Sequence, residues 1–94
     1  MGIFAVTYSY VATPEALNAL RPIHREFLSE LFDLGILLAS GPFVGSEGAL
    51  LIIQAEDLNS VSALLDQDPF DIAGYIGERV NTEWNPVFGP WSNK

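Results

Sequence analysis

The chain contains one histidine and no cysteine. His24 is therefore its one side chain that by default exchanges protons near neutral pH. Leu17, Leu20, His24, Phe27 and Leu31 recur with 3-4-3-4 spacing, which sets all five on the face of a helix that normally enters a core. An imidazole there needs a hydrogen-bond partner, because an unpaired polar group in a core is costly. Asp68 is the candidate. It continues the stripe Leu58, Val61, Leu65 by three residues, in phase with the inner face of a second helix. If both helices lie on one sheet face, the two side chains meet, and the carboxylate would orient the imidazole as in an acid/base dyad.

Both residues have plainer alternatives. His24 could be a core histidine tied to a backbone carbonyl. Asp68 precedes Pro69, with Asp71 three residues on, and so reads as the N-cap of a short helix over 69–73. Capping and orienting are compatible if one carboxylate oxygen serves a backbone N–H and the other faces the imidazole.

Further residues gather around this pair. Arg21 and Arg25 flank His24 and would set a local positive patch. Ser40-Gly41-Pro42 reads as a strand end and turn beside a pocket, where the Ser40 hydroxyl or the Gly41 N–H would donate to a ligand oxygen. No Gly-x-Ser-x-Gly elbow surrounds Ser40, so it is not read as a nucleophile. Tyr8, Tyr10, Phe27, Phe70 and Tyr75 read as core and interface, with Phe70 a candidate for the substrate-binding wall. One histidine among scattered acids does not make a metal ligand set, and no phosphate-binding glycine loop occurs; no cofactor is expected.

The elements that must position these groups follow from patterning. Residues 3–10 alternate, with Phe4, Val6, Tyr8 and Tyr10 large, as in a strand with two unlike faces. Thr13-Pro14-Glu15 starts a helix. Pro22 predicts a break near Leu20-Arg21, with the main helix over 21–34 and Gly35 closing it. A short strand over 36–40, closed by Gly41-Pro42, and a second strand over 48–55 predict a hairpin. Asp57 caps a helix over 58–67, with Leu58, Val61 and Leu65 facing inward. Residues 78–85 alternate again, with Val80, Thr82 and Trp84 on one side. The tail over 85–94 carries Phe88 and Trp91, which predicts that it packs on something, a partner subunit included.

The order β-α-β-β-α-β predicts an α+β, ferredoxin-like domain spanning 1–94: a four-stranded antiparallel sheet with helices on one face. The other face needs cover. A chain of 94 residues that is 49% hydrophobic predicts a homodimer through that sheet face. Twelve acidic residues against four basic ones give a net charge of −8, which opposes phosphate backbones and anionic membranes, so neither nucleic acid nor membrane is an expected partner. No apolar run reaches the length of a membrane span, and the N-terminus lacks the basic start of a signal peptide. With no cysteine, a cytoplasmic location is expected.

Taken together, the motifs resemble the YciI-like family, whose members are also called YCII-related domains. The marks are Arg21-Pro22-Ile23-His24 with Phe27-Leu28, Gly35, Ser40-Gly41-Pro42, Asp68-Pro69-Phe70 and Ala73-Gly74, in the family's order over about residues 2–86. The resemblance implies a ferredoxin-like dimeric α/β barrel whose active site is built from His24 and Asp68, with the Ser-Gly-Pro segment adjacent. Some relatives are chloromuconolactone dehalogenases and muconolactone isomerases share the fold, which implies proton abstraction from a lactone. Two departures stand out. Arg25-Glu26 replaces a pair that is often more apolar, and the tail from Trp84 is longer than usual. The leading reading is a cofactor-free lyase or isomerase. Its rival is a non-catalytic dimeric domain that binds a small ligand. Oxygenase or haem chemistry rests on fold analogy alone.

Overall fold

The computed structural model describes residues 1–92. Its elements run β1 (Gly2–Tyr10), α1 (Pro14–Asp33), β2 (Leu37–Pro42), β3 (Gly48–Ala55), α2 (Leu58–Leu65), α3 (Pro69–Ile72) and β4 (Ile76–Trp84). The strands form one antiparallel sheet in the order β2-β3-β1-β4. This is the expected ferredoxin-like arrangement, with β1 and β3 central.

The alternation along β1 decides what meets the helices. Phe4, Val6 and Tyr8 lie opposite Ile53, Leu51 and Ala49 of β3, and all six join Leu31, Val61 and Leu65 in the core. On the other face Ile3, Ala5 and Thr7 align with Gln54, Ile52 and Leu50 of β3 and with Trp84, Thr82 and Val80 of β4. Leu50, Val80 and Trp84 are exposed there. The described part of the tail borders this helix-free face: Pro90, Trp91 and Ser92 share a cleft with Met1, Ile3, Leu38 and Gln54. Residues 93 and 94 lie outside the described residues.

Three expectations give way. The break at Leu20-Arg21 is absent, and α1 runs unbroken for 20 residues through Pro22. Proline removes one backbone donor and crowds the preceding turn. Pro22 and Asn18 both sit on the exposed side, where water serves the freed carbonyl, while Leu17, His24 and Leu31 anchor the buried side across the proline. Gly41 and Pro42 are not a turn but the end of β2, paired with Leu50 and Ala49. β2 is an edge strand, so a residue without an N–H is tolerated. Leu58 begins α2 but is exposed, so that stripe buries Val61 and Leu65 only.

The helix ends conform to their sequence signals. Thr13 and Asp57 cap α1 and α2 through bonds from Ala16 and Ser60 N–H. At the end of α1, Gly35 takes φ 78° while Ile36 N–H reaches the Leu31 carbonyl and Gly35 N–H that of Phe32, a Schellman closure.

Gly48 carries a packing requirement of a different kind. A Cβ there would come within 2.2 Å of the Tyr8 carbonyl oxygen, on the neighbouring strand. Gly48→Ala is expected to destabilise the domain by about 1–3 kcal/mol, as overpacking does, read as a lowered urea midpoint at unchanged slope.

Candidate functional site

Asp68 follows α2 by one turn, with its N–H bonded to the Leu65 carbonyl, and it caps α3. Its Oδ1 accepts from Phe70 N–H at 3.0 Å. The same oxygen meets His24 Nδ1 at 2.8 Å. Oδ2 accepts from the Tyr8 hydroxyl at 2.8 Å. The expected split, one oxygen for the cap and one for the imidazole, is thus replaced by a shared Oδ1, and Oδ2 is free to take a third donor. Asp68 is fully buried, with His24 6% exposed. A buried carboxylate persists only when its lone pairs are served, and three donors do so here.

His24 is held from two sides. Its ring stacks on Phe70 at 3.9 Å between centroids and 8° between planes. Phe70 is in turn fixed at the start of α3, whose end is closed by Gly74 at φ 77°, with Tyr75 N–H on the Phe70 carbonyl. Tyr10 meets Phe70 edge-on at 5.6 Å, and the Arg21 guanidinium lies 5.9 Å from the Phe70 centroid. Phe70, expected on the substrate wall, is fully buried and instead backs the imidazole.

Donor logic assigns the tautomer. Asp68 accepts Phe70 N–H at one oxygen and the tyrosine hydroxyl at the other, so it acts as an acceptor toward histidine as well, and Nδ1 supplies the hydrogen. In the neutral ring Nε2 then carries the lone pair. No described residue bonds Nε2, and His24 lines an open cleft of about 180 Å³. Tyr10, Arg21, Arg25, Leu28, Ser40, Gly41, Pro42, Ala49 and Leu51 complete its wall. The arrangement presents one basic nitrogen, oriented from behind by a buried carboxylate, to a small space with an apolar floor and two guanidiniums.

Tyr8 is the functional residue that sequence reasoning missed. It read as core, and it is core, but its hydroxyl completes a chain Tyr8–Asp68–His24. Burial, then the Asp68 charge and hydrogen bond, push its phenol far above the ordinary range, with partial relief from Arg79, so it stays a neutral donor. A tyrosine on an inward strand face needs a partner for its hydroxyl, and that requirement was the available signal. Tyr10, on the cleft wall, is also shifted upward by burial, eased by Arg21 and reinforced by Asp68. Arg79, opposite Tyr8 on β4, bonds Asp66 at 2.7 Å and Asp71 at 3.1 Å, and so clamps the segment on either side of Asp68.

Among the described residues no cluster of three potential ligands stands where it could hold a metal ion. None of the described helices is long and apolar enough to cross a membrane.

Comparison with known proteins adds three findings. The family described as YCII-related domain matches residues 2–85. No curated protein matches the sequence. Among solved structures, the chain is similar to 5-chloro-2-hydroxyhydroquinone dehydrochlorinase (TftG) from Burkholderia phenoliruptrix AC1100, in complex with 2,5-dihydroxybenzoquinone: TM-score 0.79, 20% identity, covering 97% of this chain and 99% of that one. An uncharacterized NIPSNAP domain protein from Burkholderia xenovorans aligns at TM-score 0.47 and 20% identity, over 96% and 99% of the two chains. The first likeness concerns the fold.

Proposed function

The chain belongs to the YCII-related domain family, and from that membership and the geometry of the cleft we propose a cofactor-free acid/base enzyme of the lyase or isomerase type. The observation that carries the reading is His24 itself, bound through Nδ1 to a fully buried aspartate while its other ring nitrogen faces open space. His24 Nε2 takes a proton from a substrate carbon beside a carbonyl. The electron pair moves to the carbonyl oxygen, giving an enolate, or expels a leaving group such as chloride. The imidazolium formed is stabilised by Asp68 and returns its proton to product or water. The Gly41 N–H is taken up by the pairing of β2 with Leu50 of β3, so the Ser40 and Tyr10 hydroxyls of the cleft wall are the neutral donors available to a developing oxyanion. The similar fold of a dehydrochlorinase supports elimination as one form of this chemistry.

The test is a panel of lactones, enol esters and chlorinated hydroxyhydroquinones, read by chloride release and by deuterium uptake from solvent. Turnover that disappears with His24→Ala is the expected result. Equal rates in wild type and variant would reject the reading, and binding without turnover across the panel would leave a ligand-binding domain in its place.

We also read residues 1–94 as one domain, cytoplasmic, and paired with a second copy through the helix-free face. Leu50, Val80 and Trp84 are exposed together on that face. Sedimentation equilibrium is expected to give twice the chain mass. Trp84→Glu, which puts a charge on this face, is expected to give the monomer mass with the circular dichroism spectrum kept.

A further inference from the structure

The chain carries eight more negative than positive charges, yet its positive charge is not spread over the surface. Of four basic side chains, Lys94 lies outside the described residues. Arg79 is consumed by Asp66 and Asp71. The remaining two, Arg21 and Arg25, form no ion pair with any described residue, and both line the cleft that His24 faces. They stand one helical turn apart on α1, on either side of the histidine, so their guanidiniums share one wall. Arg21 is half-buried with its guanidinium near Phe70, which fixes its reach, whereas Arg25 is exposed. Acidic side chains are abundant in this chain, and none pairs with these two arginines.

We propose that the cleft selects a small organic monoanion, a carboxylate or an ionised enol on an apolar body, with Arg21 as its principal anchor and Arg25 as a weaker second. The proposal rests on the acid/base reading of the same cleft and names its substrate class. Leu28, Pro42, Ala49 and Leu51 supply the apolar walls, and about 180 Å³ suits a compact ring or short chain. The planar guanidinium fork matches a carboxylate or enolate in two-point contact. The placement also serves the chemistry. A carbanion formed next to the anionic group delocalises toward Arg21, so the cation that binds the substrate also receives the charge released when His24 takes the proton. Elsewhere the acidic surface repels anions and leaves the cleft as the favourable approach.

Benzoate and its neutral isostere benzamide separate the anion from the ring. Titrations are followed by the His24 ring-proton resonances, with inorganic phosphate as a third ligand. Benzoate is expected to bind at least tenfold more tightly than benzamide, and to weaken as ionic strength rises. Arg21→Gln is expected to weaken benzoate about tenfold or more, the loss typical of a charge-assisted contact, while Arg25→Gln costs a few-fold because it is exposed. Should Arg21→Gln fail to fold, the benzamide comparison and the salt dependence in the wild-type protein still decide. Equal binding of benzoate and benzamide, salt-independent binding, or phosphate bound more tightly than benzoate would each overturn the proposal. His24→Ala keeps the anion anchors, so benzoate binding retained in that variant, followed there by the Tyr10 ring protons on the cleft wall, alongside lost turnover tests selection apart from catalysis.

Discussion

Asp68→Ala is expected to lower the unfolding free energy by about 3–5 kcal/mol, the range for removing one partner of a buried charged pair. Three donors lose their acceptor at once: Phe70 N–H, His24 Nδ1–H and the Tyr8 hydroxyl. Each buried donor left unpaired costs about 1–3 kcal/mol when water cannot reach it. Asn offers a contrast that the geometry makes specific. Its amide has one oxygen, and Phe70 N–H requires that oxygen at the Oδ1 position, because the NH₂ group would face another donor there. The oxygen then still accepts from His24, and only the Tyr8 contact must reorganise. Asp68→Asn should therefore recover most of the stability, since Asn and Asp cap helices about equally. Urea unfolding of the two variants checks this. A loss below about 1 kcal/mol in Asp68→Ala would show that the carboxylate does not hold these elements together.

The second large effect concerns rate. Against whichever substrate the panel identifies, His24→Gln is expected to reduce turnover about 10²- to 10⁴-fold, the usual contribution of a positioned acid/base group. Glutamine still places an amide N–H toward Asp68 yet cannot exchange a proton, so its loss reports chemistry rather than folding. His24→Ala leaves a space against Phe70, and added imidazole should restore part of the rate there. Asp68→Asn belongs in the same series. Because Phe70 N–H pins the amide oxygen, the histidine keeps its Nδ1–H tautomer, and any rate loss measures the missing negative charge alone. Nitrogen-15 spectra of the neutral ring should show a protonated Nδ1 and a bare Nε2 in both proteins. A tautomer switch in Asp68→Asn would contradict the pinning.

The two stripes carried the central pairing. Leu17, His24 and Leu31 recur every second turn and end up buried together, and the phase of Val61 and Leu65 led to Asp68 across 44 residues. Local periodicity suffices for that because each stripe is set by its own helix, and the fold order then presses both onto one sheet face. Tyr8 was harder. Alternation marks it as inward, but its partner lies 60 positions away, and only the central place of β1 brings the two together. Pro22 misled because its cost was judged locally, whereas buried anchors on either side of it hold α1 together. Gly41-Pro42 reads as a turn in isolation and becomes strand through pairing with β3, an interaction that residues 41 and 42 do not announce. Leu58 continued its stripe on paper, yet it lies at the first position of α2 and is exposed. The shared use of Oδ1 was also invisible, being a matter of tenths of an ångström.

That shared oxygen has a bearing on how relatives are to be judged. Because the acceptor at position 68 stabilises the start of α3 and serves two further buried donors, a relative without the proposed reaction would still favour aspartate or asparagine there on folding grounds. The aspartate is therefore a poor marker of activity in a distant member. The histidine carries a weaker obligation, since Phe70 N–H and the Tyr8 hydroxyl still serve Asp68 without it. Under the proposed acid/base reading, position 24 is the informative one for sorting active members of this fold from inactive ones.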